Sequence, residues 1–345
     1  MSPLGSPVAS LRWVGVPISV LDLAPIAAGQ SAADALAGTT AVARRADELG
    51  FKRFWVAEHH NIPSVASTAP ETLIAHLAAR TDRIRVGSGG VMLPNHSPLA
   101  VAERFGMLEA LHPDRIDLGL GRAPGTDQRT AMVLRSGDPN RFPEQFAELR
   151  GYLGSGYGGI RAVTGEHTVP ELWMLGSTDG GARIAGPLGI PFVFAHHFHP
   201  HFTEPALELY RELFVPSELT SRPRTIVAAG IVVGEDDEDA ARLALPGGVS
   251  MLRLRQGRPE PLPSVGQAEA IVGRLSGAEL AVVEEAMARA IVGGPETVHS
   301  QLLDLAERTQ TDELMVTSHV ADPEVRARGL EHVARAFGLH AQPVC

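Results

Sequence analysis

The stretch DALAGTTAVARRADELGFKRFWVAEHH, residues 34–60, decides the fold. Residues 34–49 carry apolar side chains at helical spacing, and Gly50 follows as a residue suited to a left-handed helix end. Residues 53–57 then form a short run that reads as a strand, with Glu58-His59-His60 just beyond it. The same hand-off recurs along the chain. Strands are expected at residues 13–18, 53–57, 84–86, 115–120, 171–175, 191–195, 225–233 and 313–317. Helices are expected at 34–49, 70–80, 98–111, 143–152, 180–188, 204–214, 235–245, 295–308 and 324–339. Strands separated by helices make parallel βαβ units. Eight such units predict an α/β fold, a closed (β/α)₈ TIM barrel. A doubly wound open sheet would carry a G-x-G-x-x-G turn after its first strand, and none is present there. Residues 253–280 break the rhythm with Pro259, Pro261 and Pro263. They are expected to form a long, irregular lid between strands seven and eight.

Composition narrows the function. The chain has 345 residues and a net charge of −10, which argues against nucleic acid as a partner because phosphate backbones select basic faces. The length suits one barrel, so residues 1–345 are read as a single domain. The lone cysteine, Cys345, is the last residue and excludes a disulfide framework or a cysteine-rich zinc site. Lys52 is the sole lysine and sits in no P-loop or Schiff-base context. No apolar run approaches the ~20 residues of a membrane span, and no secretory signal opens the chain, so a cytoplasmic protein without a membrane partner is expected.

In a (β/α)₈ barrel the chemistry gathers where strands end. Strand two delivers Glu58, His59 and His60, an acid and two imidazoles. Strand three delivers Gly87, Ser88, Gly89 and Gly90, then His96. The glycines suit close approach to a flat ligand, or simply tight packing. Strand four delivers Arg122 and Asp127. Strand five delivers Ser177, Thr178, Asp179, Gly180 and Gly181 into a helix start, where unpaired N–H groups can cradle a phosphate that Arg122 also reaches. The bland alternative is an ordinary capped helix. Strand six delivers His196, His197, His199 and His201. A metal hydrolase built on these histidines is disfavoured, because the expected His-x-His after strand one is replaced by Leu21-Asp22-Leu23 and Arg122 repels cations. No metal is assigned.

Four runs together carry a family resemblance: SVLDLAP (19–25), AEHHN (57–61), GSGGVMLPNHSP (87–98) and DLGLGRAPGTDQR (117–129). With 172–177, 189–195 and 312–316 they resemble the bacterial luciferase-like flavin monooxygenases, closest to the single-chain subgroup. The resemblance implies a barrel that binds reduced FMN (FMNH₂) supplied by a separate NAD(P)H:flavin reductase. In that family the reduced flavin reacts with O₂ to a C4a-(hydro)peroxide, which oxygenates a small-molecule substrate. It implies proton handling by His59 with Glu58 in support and His60 alongside. It also implies a flavin site of Ser88, Gly89, Gly90, Arg122, Ser177, Thr178, Gly180 and Gly181, with Asp127, His96 and His197 on the substrate or lid side. The family often has a non-proline cis peptide at the match to Gly89-Gly90. It usually has Ser or Thr at the match to Gly181, so here only a backbone N–H is left for the phosphate. The family's reactive cysteine position is Gly121. Residues 253–280 match a mobile lid, and a homodimer through helices near strands two and three is implied. A deazaflavin-dependent hydride-transfer enzyme and a non-catalytic flavin-binding protein remain alternatives on the same fold.

Overall fold

A computed structural model describes residues 15–164 and 170–340. The strands are β1 (Ile18–Asp22), β2 (Arg53–Val56), β3 (Arg85–Met92), β4 (Ile116–Gly121), β5 (Glu171–Gly176), β6 (Phe192–Ala195), β7 (Thr225–Val233), β8 (Ala290–Gly293) and β9 (Glu313–Thr317). The helices before the lid are α1 (Ala32–Leu49), α2 (Pro70–Ala78), α3 (Pro98–Leu111), α4 (Gln128–Leu134), α5 (Phe142–Leu153), α6 (Asp179–Ala185) and α7 (Thr203–Leu213). After them come α8 (Asp237–Arg255), α9 (Val265–Val272), α10 (Gly277–Met287), α11 (Pro295–Thr309) and α12 (Pro323–Ala336). All the strand pairings are parallel. Eight strands close a ring, because β6 pairs β7 and β9 pairs both β1 and β7. The predicted (β/α)₈ barrel is therefore the observed architecture.

Three details differ from the sequence reading. The first strand lies at Ile18–Asp22 rather than 13–18, and residues 13 and 14 fall outside the described residues. Pro17 has no N–H to give a ladder, so pairing begins after it, while its carbonyl accepts from Leu314 N at 3.0 Å. The third strand runs on through its glycines to Met92. The insertion between β7 and β9 stands where expected but is mostly helical. Capping boxes at Ser264/Gln267 and Ser276/Glu279 start α9 and α10, and the three prolines are confined to the short connection after α8. The insertion also supplies β8, which pairs residues 230–233 of β7 beyond the point where β6 ends.

Alternate strand residues point into the barrel and form layers. At the floor, Arg53 is completely buried and ion-paired to Glu313 (2.7 Å), Asp117 (2.8 Å) and Glu171 (3.3 Å). Arg85, Arg224 and Lys52 complete this network from the rim. Burial alone would discharge Arg53, but its three carboxylates outweigh that and hold it charged. Above the floor, Trp55 and Trp173 meet edge to face, and Trp55 Nε1 donates to Asp117 Oδ2 at 2.8 Å. A Cβ on Gly87 would lie 2.7 Å from Trp55 Nε1, so Gly87 is a packing glycine. The two tryptophans plug the barrel and leave the space above them open.

Candidate active site

A cavity of about 400 Å³ occupies that space, a size suited to a small molecule. Trp55 and Gly89 form part of its floor, and the Gly89-Gly90 peptide is cis. A Cβ on Gly89 would sit 2.8 Å from Leu21 Cδ1 and 3.1 Å from Trp55 Cε3. The backbone of β3 thus presents a flat surface backed by tryptophan. Gly90 faces β4 instead, where a Cβ would come within 2.7 Å of the Gly119 carbonyl oxygen. Ser88 is also turned away. Its Oγ donates to Gly119 O and accepts from Gly119 N, bridging the two strands at the irregularity in their register.

Arg122 leaves the end of β4 and reaches the turn before α6. A Cβ built on Gly180 would lie 2.9 Å from Arg122 Nη2 and 3.5 Å from Thr178 Oγ1, so these two groups flank the bare Gly180 backbone. Among the described residues, the Arg122 guanidinium has no hydrogen-bond or ion-pair partner, and the Thr178 side chain caps nothing. Arg122, Ser177, Thr178 and Gly181 all line the cavity. A half-buried cation without a counter-ion beside free hydroxyls is an arrangement that binds an anion. The Gly181 N–H, expected from the sequence to face that anion, donates to Thr178 O at 3.3 Å. A Cβ at Gly181 would stand 2.8 Å from Phe192 Cε2, so tight packing against β6 accompanies the glycine there.

The strand-two residues divide. His59 lines the cavity, and its Nδ1 donates to Gly125 O at 3.2 Å, because a carbonyl can only accept. Nε2 is left as the acceptor. Burial pushes the His59 pKa below its ordinary value, so the ring is neutral near pH 7. Glu58 is fully buried and points away from His59. Its carboxylate accepts from His60 Nε2 (3.0 Å), His96 Nε2 (3.0 Å), Asn95 Nδ2 (2.9 Å) and Met92 N (2.8 Å). Burial raises the Glu58 pKa, but the bonds from His96, Asn95 and His60 together outweigh it and keep Glu58 ionised. Glu58 therefore fastens the end of β3 to the loop after β2. His60 and His96 are its partners and do not line the cavity. Asp127 caps α4 and accepts from Asn61 Nδ2 at 3.1 Å, also outside the cavity.

His197 does line it. Its Nδ1 donates to Ala228 O at 2.9 Å, and burial pushes its pKa down to about 4. His196 instead bonds Thr203 Oγ1 at 2.8 Å. Among the described residues, no group of three or more His, Cys, Asp or Glu side chains is placed to hold a metal ion. Reading only the ends of strands two to six overlooks Thr317 and His319. The same rule carried to β9 finds both. The Met92 side chain fills the space beside Gly121, where a Cβ would come within 2.4 Å of its Sδ.

The profile of the luciferase-like monooxygenases matches residues 16–312. The chain belongs to this family. A luciferase-like monooxygenase of Escherichia coli strain K12 is 40% identical over 92% of this chain and 95% of its own length. The solved structure of apo-MsnO8 is 39% identical, with a TM-score of 0.89 over 95% of this chain and 99% of its own. Two more distant structures share the fold. One is the oxygenating constituent of 3,6-diketocamphane monooxygenase from Pseudomonas putida in complex with FMN, with TM-score 0.69 and 18% identity over 94% of this chain and 98% of its own. The other is an F420-dependent secondary alcohol dehydrogenase, with TM-score 0.62 and 16% identity over 93% and 99%. This luciferase-like monooxygenase is thus a member of a family of flavin-dependent monooxygenases and oxidoreductases. No helix among its described residues is long and apolar enough to cross a membrane.

Proposed function

We propose that this chain is the oxygenating component of a two-component cytoplasmic system. It takes reduced FMN from a separate NAD(P)H:flavin reductase and oxygenates a small organic substrate. The Arg122 guanidinium, unpaired among the described residues and facing Thr178 across the bare Gly180 backbone in a largely apolar cavity, carries the proposal. The residues present fit the cofactor. Arg122, Ser177 and Thr178 would hold its phosphate, and the flat β3 backbone at Gly89 would underlie its ring. Bound reduced flavin would supply the electrons that activate O₂.

The chain's own groups supply the rest. His59, fixed through Nδ1 by Gly125 O, offers Nε2 to take up and return a proton within the cavity. Glu58 is a positioning residue that holds the β2 and β3 loop ends together. Leu243 and Met251 of α8 and Met287 of α10 line the cavity and would exclude water when the lid closes over it. Met107 and Leu111, exposed on α3, fit a homodimer formed through that side of the barrel.

Anaerobic titration of the purified protein with reduced FMN, and in parallel with a reduced deazaflavin, tests the reading. Saturable binding of reduced FMN, followed by reoxidation in O₂ that is slower than for free flavin, is expected. Binding of the deazaflavin alone would move the chain to hydride transfer.

A further inference from the structure

Thr317 and His319 stand on the wall opposite Arg122 and have no part in the scheme above. In the closed ring, β9 lies four strands from β4 in either direction, so these two residues face the anion-binding lip across the full width of the cavity. Glu313, Met315 and Thr317 take the inward positions of β9. Both Met315 and Thr317 line the cavity, and His319 follows two residues later.

Thr317 is only 2% exposed, and its buried hydroxyl has no hydrogen-bond partner among the described residues. A buried, unmatched hydroxyl is costly, so its presence marks a place where a partner is supplied from outside. The His319 imidazole, an exposed side chain that also lines the cavity, has no hydrogen-bond partner among the described residues either. Although His319 is exposed, the surrounding protein and the nearby His59 disfavour its charged form, against the pull of the Asp22 carboxylate. Around the pair the wall is apolar: Met315, Val320, Leu243, Met251, Met287 and Val292. The cationic side chain on this side, Arg289, is already paired with Glu285 at 2.5 Å.

We propose that Thr317 and His319 form a substrate-selecting pair that binds one neutral oxygen acceptor, such as a ketone, ester or amide carbonyl, on an otherwise apolar molecule. A hydroxyl and a neutral imidazole N–H each donate to such an oxygen, and with Arg289 already paired and the Asp22 carboxylate nearby, nothing here attracts a carboxylate. Assigning the molecule as substrate rests on the oxygenase reading; the binding preference itself does not.

The test compares cyclooctanone with its isostere methylenecyclooctane and with cyclooctanecarboxylate, by calorimetry on the full chain. The wild type is expected to bind the ketone about tenfold more tightly than the alkene, and the carboxylate least. Thr317→Val and His319→Phe should each weaken the ketone several-fold while leaving the alkene and reduced FMN unchanged. An undetectable ketone interaction, equal binding of ketone and alkene, or a loss confined to reduced FMN would overturn the proposal. If reduced FMN fails to bind the wild type while the ketone preference still depends on both residues, the cofactor reading falls and the selecting pair stands.

Discussion

His59, His197 and His319 reach the cavity from three strand ends, and burial keeps His59 and His197 neutral near pH 7. This has a pH consequence at the residue scale. His197 titrates near 4 when folded and near 6.5 when unfolded, so below about pH 6.5 the unfolded chain binds the extra proton. Stability should therefore fall as pH drops from about 6.5 toward 4. Denaturant unfolding at about pH 7 and pH 5 should show a smaller drop for His197→Gln than for the wild type. For His59, replacement by Ala should leave reduced-FMN affinity within about twofold but lower oxygenation at least ~100-fold, measured as product per flavin oxidised. Unchanged turnover would remove His59 from the chemistry. The sequence showed that Glu58-His59-His60 ends a strand. Period-two alternation alone did not separate their roles, because the loop beyond Val56 leaves the strand geometry. Only the folded loop shows Glu58 tied to His60, His96 and Asn95 rather than to His59.

At the scale of elements, helices with strong end signals were legible. Helix α1 was expected over 34–49 and is observed over Ala32–Leu49, with the capping box Ser31/Asp34 at one end and Gly50 at φ 85° at the other. The lid's place was legible but its helices were not, although Ser264/Gln267 and Ser276/Glu279 are the same kind of signal. The clustered prolines dominated the reading of that stretch, whereas in the fold they occupy only the connection ahead of α9. The short strand β8 was invisible because it exists only as an extension of β7 beyond the ring. The seam between α8 and α10 depends on Gly248, where a Cβ would meet Val283 Cγ1 at 2.7 Å. Gly248→Val should push α10 outward and cost about 1–3 kcal/mol, read as a lowered denaturant midpoint, with faster proteolysis within the lid.

At the scale of the whole molecule, the barrel separates a stability end from a chemistry end. Its floor is the ion network around Arg53, and its mouth is the cavity. The alternating apolar runs pointed to eight strands and hence the closed barrel. The floor network was not legible, because Arg53, Asp117, Glu171 and Glu313 are far apart in sequence and meet only when the ring closes. Arg53→Met leaves the buried carboxylates of Asp117 and Glu313, and the half-buried one of Glu171, without their shared cation and should cost about 3–5 kcal/mol of unfolding free energy. Glu171 contributes in the acid range. Burial raises its pKa, but Arg53, Arg224 and Arg85 outweigh that and bring it to about 2. Its contribution is present above the ordinary carboxylate range and is lost as pH falls toward about 2, a limb that Glu171→Gln should flatten.

The most direct test of the central claim is a four-way anaerobic titration: reduced FMN and reduced riboflavin, each against the wild type and Arg122→Ala. If Arg122 anchors the phosphate, the wild type prefers reduced FMN by at least about tenfold. Arg122→Ala then erases that preference while binding reduced riboflavin as before. A preference for FMN that persists in Arg122→Ala, or its absence from the wild type, would contradict the account.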